Sequence, residues 1–339
     1  RRYAKVRIAW SYKTNYLEAV CRTFHREGAW AEVVSHFEFD KAVLTGVAPD
    51  HIHFNGPNKP DEAIEAALRG RAMLHIDNFD ELARIERIAE RLNVRPRVAL
   101  RVNLAVEGLQ SWSRFGLNLE SGQAREAAVR LLSGGKAELV GLHCHIGTYI
   151  LEPAAYGIAA TKLVQFANQL RADLGVRLSF IDVGGGFASR NTLAAQYLPG
   201  DQAAPSFERY AEAICDALAG LDCPPQELPT LVLETGRALV DDAGYLISSV
   251  AATKRLNGSF ELLPHGKNDV RAPLTGRIDV KVKLLQTVQP GDVLFTLESP
   301  DWRTLHSLVT GKPAAAAPPP PAPAPLPPHK AKAADRETT

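Results

Sequence analysis

The chain has 339 residues, 45% of them hydrophobic and 23% charged, with 39 Lys and Arg against 38 Asp and Glu for a net charge of +1. That apolar share is ample for a sizeable core and excludes a wholly disordered chain. The balanced charge offers no reason to expect a nucleic-acid or acidic-membrane partner, and no apolar run approaches the roughly 20 residues that span a bilayer. Met73 is the single methionine, and the chain opens Arg1-Arg2-Tyr3, so residue 1 reads as something other than a natural start. Cys21, Cys144, Cys215 and Cys223 share no C-x-x-C spacing and read as small buried hydrophobes in a reducing compartment. No signal peptide is visible, and the default localisation is cytoplasmic.

From residue 6 to about residue 237, short β-branched runs alternate with longer helical patterns. The runs are Val6–Tyr12, Glu32–Phe37, His51–Asn55, Ala72–Asp77, Arg97–Val102, Leu139–His145, Leu178–Val183 and Thr230–Glu234. Amphipathic stretches lie between them at Asp61–Leu68, Asp80–Leu92, Gln123–Leu132, Tyr156–Leu174 and Phe207–Leu218. Asp80 and Ser206 read as N-terminal caps, and Gly46, Gly70, Gly135 and Gly175 as helix stops. Near-continuous apolar strands alternating with helices predict a parallel sheet, and eight of them fit a (β/α)₈ barrel of the TIM type within an α/β fold. Such a barrel places its chemistry at the C-terminal ends of the strands.

Four strand ends carry chemistry-bearing residues. Lys13 closes the first strand, where burial is expected to lower its pKa and make it a nucleophilic amine for Schiff-base chemistry. His143 and His145 close the sixth and share a face of the strand, but no Asp, Glu or Cys at a matching place completes a zinc site, so no metal is expected. One of the two rings is better used stacking on an aromatic cofactor, and the other reads as a hydrogen-bonded core histidine. Gly184-Gly185-Gly186 follow the seventh strand and free backbone N–H groups for an anion, without the G-x-G-x-x-G dinucleotide spacing. Glu234 and Arg237 close the eighth, offering a carboxylate at the mouth and a fork that matches phosphate oxygens. Together these groups describe a site for an aldehyde-bearing phosphate cofactor.

The order Tyr12-Lys13-Thr14-Asn15, His143-Cys144-His145-Ile146-Gly147-Thr148, Asp182-Val183-Gly184-Gly185-Gly186-Phe187 and Glu234-Thr235-Gly236-Arg237 resembles the fold-type III pyridoxal-phosphate decarboxylases, which include the diaminopimelate, ornithine and arginine decarboxylases. The resemblance covers roughly residues 6–250, and Val34-Ser35-His36-Phe37-Glu38, Phe54-Asn55-Gly56-Pro57-Asn58-Lys59, Leu100-Arg101-Val102-Asn103 and Arg114-Phe115-Gly116 agree with it. It implies pyridoxal 5'-phosphate as cofactor, with Lys13 forming the Schiff base, His145 stacking on the pyridine ring and Glu234 pairing with the pyridine nitrogen. Gly184, Gly185, Gly186, Arg237 and Thr148 would hold the phosphate, while Arg101 and Glu38 would line the ring's other edge. The implied reaction is loss of the α-carboxylate of an amino acid, a small-molecule substrate, as CO₂ in a homodimeric enzyme. An amino-acid racemase and a cofactor-binding but catalytically incomplete barrel stand as alternatives.

Past residue 250 the resemblance is lost, and the family's leading strand and helix have no counterpart before Tyr12-Lys13, so the chain reads as N-terminally truncated. The family's Cys-Glu-Ser-x-Asp-like and Gly-Ala-Tyr segments, which complete the neighbouring subunit's site, do not follow. Asp269–Ile278 and Val288–Pro300 instead read as short strands around Pro-Gly turns. They resemble a biotinyl/lipoyl-type barrel-sandwich hybrid of the kind found in efflux adaptors, which offers a different class of function, an assembly component. The turn Ser299-Pro300-Asp301-Trp302-Arg303 lacks the Lys that a covalent carrier needs. A divergent decarboxylase β-domain is the alternative. The expected division is a cofactor barrel over 1–250, a small β unit over 251–312 and a disordered Pro/Ala-rich tail over 313–339, the last holding nine of the 23 prolines.

Overall fold

Eight apolar runs become the staves of a closed parallel barrel in the computed structural model, which describes residues 3–109, 114–190, 200–241, 243, 250–256, 259–264, 277–280 and 295–298. In chain order the elements are β1 (Val6–Ser11), α1 (Glu18–Arg26), β2 (Trp30–Val33), α2 (His36–Leu44), β3 (Ile52–Phe54), α3 (Asp61–Gly70), β4 (Met73–Ile76), α4 (Phe79–Leu92) and β5 (Arg97–Asn103). They continue as β6 (Leu117–Asn118), α5 (Gln123–Gly134), β7 (Glu138–His143), α6 (Pro153–Leu174), β8 (Phe180–Asp182), α7 (Gly200–Ala203), α8 (Phe207–Leu218), β9 (Thr230–Leu233) and α9 (Arg237–Val240). Every ladder between β1, β2, β3, β4, β5, β7, β8 and β9 is parallel, and the β1–β9 pairing closes the ring. β6 adds a two-residue parallel ladder on β5. The fold is the α/β TIM-like barrel that the alternation of strands and helices implies.

Two hydrophobic clusters follow from this geometry. The larger packs the outer faces of the strands, such as Trp10, Val33, Leu74 and Leu142, against the helices through Ile64, Ile85, Leu131 and Leu163. The smaller fills the barrel interior with Ala9, Ala99, Val140, Phe180 and Val232. A register shift between β5 and β7 gives β7 one extra residue at Val140, a β-bulge that re-aims the side chains beyond it. A Cβ on Gly141 would lie 2.2 Å from the Phe180 ring, so only glycine lets that ring fill the barrel at this level.

Local chemistry sets the element ends, and here the structure departs from the sequence reading. The apolar run starting at Glu32 does not continue as a strand to Phe37: β2 stops at Val33, because Ser35 Oγ accepts the Glu38 N–H and caps α2. Asp80 lies inside α4, whose cap is Asn78, with Oδ1 accepting the Glu81 N–H at 2.9 Å. Ser206 precedes α8 but makes no side-chain capping bond. Gly70 is the last residue of α3, and Arg71 takes the left-handed C-cap at φ 62°, whereas Gly135 and Gly175 are the left-handed C-caps expected of them.

The chain divides into two units, Arg1–Gly244 and Tyr245–Thr339. The second contains an antiparallel pair, β10 (Val250–Leu256) with β11 (Ser259–Pro264), and another, β12 (Arg277–Val280) with β13 (Phe295–Glu298). Most of the segments expected to form a barrel-sandwich hybrid, and all of the Pro/Ala-rich tail, lie outside the described residues. Among the described residues, no helix is long and apolar enough to cross a membrane.

Candidate active site

The ends of β1, β7, β8 and β9 lie side by side in the closed ring, so their following residues meet at the C-terminal mouth of the barrel. A cavity of about 590 Å³ opens there, lined among others by Lys13, His145, Thr148, Gly185, Glu234 and Arg237. That size suits a small organic cofactor.

Lys13 follows a firmly anchored residue. The Tyr12 side chain is fully buried, with its hydroxyl 2.9 Å from both His25 Nε2 and Thr45 Oγ1. The Lys13 side chain is 44% exposed, and its Nζ lies 3.5 Å from Oε1 of the fully buried Glu32. The expected drop in its pKa is overturned. Burial pulls the ammonium down, but the Glu32 and Glu234 carboxylates outweigh burial and hold Lys13 above its ordinary value. Glu32 is pushed up to about 7, chiefly by burial, with Lys13 opposing. The two carboxylates therefore hold Nζ as an ammonium near neutral pH, with Glu32 as its facing partner.

Glu234 is sealed at the floor of the mouth, and its Oε1 accepts the Asn55 Nδ2 amide at 2.5 Å. Its Oε2 lies 3.3 Å from His143 Nε2. Burial alone would raise the carboxyl, yet His143 and then Lys13 hold it well below the usual range. His143 itself sits below its ordinary value, because burial disfavours the imidazolium more than Glu234 favours it. The polar His143 ring beside Oε2, the Asn55 amide on Oε1 and the Lys13 ammonium together keep Glu234 anionic. Asp182 bears the opposite consequence: burial and the Glu234 charge push it well above the carboxylate range, so it takes the proton that Glu234 does not.

The two histidines of β7 separate. His143 is buried inside the barrel, while His145 sits past the strand at the cavity. Burial, followed by the Lys13 charge, lowers His145 to about 3, so its ring is neutral. The Gly185 N–H donates to its Nδ1 at 3.3 Å, which leaves the ring proton on Nε2. The expectation that no acid falls near His143 is also overturned. His75, His143, Asp182 and Glu234, from four different strands or strand ends, each place a donor atom within 4.8 Å of the others. His53 extends the cluster, with Nδ1 3.1 Å from His75 Nε2 and 3.8 Å from Asp182 Oδ2.

The glycine turn is shaped by close packing. Gly184 and Gly186 have φ of 72° and 90°, and a Cβ on Gly185 would lie 2.1 Å from the Glu234 carbonyl oxygen. The Arg237 guanidinium and Thr148 side chain are exposed on the same cavity. Arg101 lies deeper, donating from Nη1 to the Asn55 carbonyl at 2.9 Å and standing 3.6 Å from Asp77. Glu38 is not among the groups lining the cavity: its Oε2 accepts the Val34 N–H at 2.7 Å in a capping arrangement at the start of α2. Glu32, Asn55 and Asp182 are site groups that strand-end inspection missed, and His143 is the one of the two β7 histidines that lies in the core. A lysine, a neutral flat ring, a glycine turn with an adjacent arginine and a buried anion facing one cavity form a donor set that fits pyridoxal phosphate.

The family profile "Pyridoxal-dependent decarboxylase, pyridoxal binding domain" matches residues 1–241. Among curated proteins, the diaminopimelate decarboxylase of Bacillus subtilis (strain 168) is 30% identical over 278 residues, covering 78% of this chain and 62% of that protein. The Methanocaldococcus jannaschii enzyme of the same name is 31% identical over 280 residues, covering 78% and 61%. The crystal structure of the diaminopimelate decarboxylase of M. jannaschii superposes with a TM-score of 0.66 at 28% identity, covering 77% of this chain and 60% of that one. The Helicobacter pylori diaminopimelate decarboxylase complexed with L-lysine gives 0.64 at 30% identity, covering 74% and 62%. The chain thus spans about three fifths of the length of the relatives it matches.

Proposed function

Given that the chain belongs to the pyridoxal-binding domain family of the pyridoxal-dependent decarboxylases, we propose that it is a pyridoxal-phosphate-dependent amino-acid decarboxylase. The observation that carries this reading is the convergence of Lys13, His145, Gly185, Glu234 and Arg237 on one 590 Å³ cavity at the C-terminal mouth of the barrel. Bound pyridoxal phosphate would supply an electron sink for the pair left on the α-carbon when the carboxylate departs as CO₂.

The chain's own groups divide the remaining work. Glu32 positions Nζ of Lys13, the amine that would attach the cofactor's aldehyde. The anionic Glu234 keeps a proton on the pyridine nitrogen, with Asn55 and His143 holding the carboxylate in place. The neutral His145 ring, set by the Gly185 N–H, offers a flat face to the cofactor. Arg237, Thr148 and the glycine turn hold the phosphate. Arg101 braces the floor through Asn55. Glu38 acts indirectly, by fixing the loop after Glu32.

The relatives named above are all diaminopimelate decarboxylases, which favours a diamino acid as substrate and decarboxylation over racemisation. The likeness to an efflux adaptor has no such support. The same reading places the protein in the cytoplasm as a homodimer. The test is to add pyridoxal phosphate to the purified protein and follow its absorbance, then assay CO₂ release from diaminopimelate, lysine, ornithine and arginine. An absorption band absent from Lys13→Ala and CO₂ release abolished in Glu234→Ala are the expected results. No band would refute cofactor binding, and a band without CO₂ from any of the four would refute the decarboxylase.

A further inference from the structure

At the end of the barrel opposite Lys13 and Glu234, the N-terminal ends of the strands open on a larger cavity, of about 950 Å³. This face of a TIM barrel ordinarily serves stability, and none of the cofactor groups reaches it. Its floor is apolar and aromatic: Trp30 at the start of β2, Met73 on β4 and Phe180 on β8. Its rim is cationic.

Arg7, Arg71, Arg95 and Arg97 line the cavity, and none of the four has a carboxylate partner among the described residues. Arg69 also lines it but is paired with Glu65 at 2.7 Å. Arg7 is set by the Gly28 carbonyl at 3.3 Å and lies 5.0 Å over the Trp30 ring, while Arg97 donates to Ser179 Oγ at 2.7 Å. No hydrogen bond holds the Arg71 or Arg95 side chain among the described residues.

The charge at this rim is not balanced locally. Among the described residues, Asp50 is the sole carboxylate on the lining. The C-terminal ends of α3 and α4 point this way, and each contributes roughly half a negative charge, which accounts for Arg71 and Arg95 as helix-end cations. Four guanidinium groups against Asp50 and two helix ends still leave an excess of about two positive charges. Crowding like charges beside an apolar floor is unfavourable unless an anion offsets them. Guanidinium forks match phosphate oxygens in pairs, and a cavity of this volume accommodates more than a bare anion.

We propose that the N-terminal end of the barrel is a second binding site, which takes an organic phosphate dianion with its phosphate among Arg7, Arg71, Arg95 and Arg97 and its apolar body on the Trp30, Met73 and Phe180 floor. The site is separate from the cofactor mouth and does not depend on the decarboxylase reading.

Phenyl phosphate, which joins a dianion to a flat apolar body, is the probe, titrated into the full chain by calorimetry beside inorganic phosphate. Binding at least fivefold tighter than inorganic phosphate is expected. The Arg71→Gly/Arg95→Gln double variant should weaken it about tenfold or more, the worth of charge-assisted hydrogen bonds. Arg71→Gly suits the left-handed backbone at this position, so the double variant should keep the parent's melting temperature. Arg237→Gln should weaken any phosphate binding at the opposite mouth and leave unchanged the phenyl phosphate affinity of the site that responds to Arg71→Gly/Arg95→Gln. Equal affinity in the double variant, no binding up to several millimolar, or loss in Arg237→Gln alone would overturn the proposal. Inorganic phosphate binding as tightly as phenyl phosphate would overturn the role of the apolar floor.

Discussion

His143 Nε2 stands 3.3 Å from Glu234 Oε2 with both side chains sealed from solvent. This contact comes from β7 and the end of β9, which are not neighbours in the ring: β8 lies between them. It therefore crosses the barrel interior. His143→Leu should replace the polar ring beside a buried anion with an apolar side chain, a loss of about 1.5–3 kcal/mol or roughly 10- to 100-fold in turnover. Glu234 has its pKa depressed, so its anion is lost as pH falls; without His143 that loss moves to higher pH. The acid limb of the turnover profile should shift upward in His143→Leu and return toward the parent in His143→Gln, which restores a polar group. An unmoved acid limb in the Leu variant would show that His143 acts only in packing.

Glu32 carries a folded-state pKa pushed up to about 7, largely by burial. A carboxyl raised on folding stabilises the protein at low pH, and that contribution is lost as pH rises from the ordinary carboxylate value through about 7. Glu32→Gln resembles the protonated form at every pH. Its melting temperature relative to the parent should therefore rise between pH 5 and pH 8. The same variant removes the main carboxylate beside Lys13, so the pH at which pyridoxal phosphate is captured should move downward. Stopped-flow absorbance over a pH series measures this directly.

Glu38 offers a clean separation between a capping role and a cofactor role. Its carboxylate is occupied by the Val34 N–H, and its own N–H is taken by Ser35 Oγ. Ser35→Ala should cost about 1 kcal/mol in urea unfolding. Glu38→Gln retains an oxygen acceptor and should change the pyridoxal phosphate dissociation constant by less than about threefold, on the order of 0.5 kcal/mol. A loss of cofactor affinity much beyond that, with stability unchanged, would return Glu38 to the cofactor.

Lys59 forms a buried tie outside the mouth. Its ammonium is fully buried, 2.8 Å from Glu81 Oε1, and donates to the Gly56 and His75 carbonyls at 2.6 and 2.8 Å. Lys59→Met would leave Glu81 buried and unpaired, at a cost of about 3–5 kcal/mol. Thermal unfolding should show it, and Lys59→Met/Glu81→Leu should recover much of the loss.

The parts of the site legible in the sequence were those written locally. Tyr12-Lys13, the glycine run and Glu234-Thr235-Gly236-Arg237 each pair a strand signal with a chemical signal a few residues on. His53 and His75 carry no such mark, because each sits alone on its own strand and they meet His143 only when the ring closes. Glu32 was hidden for a related reason: an acid within a short apolar run looks like the solvent face of an alternating strand, whereas both faces of β2 are covered. The first two residues of α2 read as strand because Val33-Val34 and Phe37 are apolar on either side of Ser35, and the cap that breaks the run is visible only as a hydrogen bond.

The β1–β9 ladder has a consequence for how the protein comes into being. Lys13 stands at the end of the first stave and Glu234 at the end of the last, and these staves touch only after all the others are in place. During synthesis the lysine emerges ahead of the other seven staves and the carboxylate only as the barrel is completed. No shorter nascent chain holds both halves of the pocket, so a ribosome-bound intermediate should be unable to capture the cofactor, and cofactor capture should report ring closure.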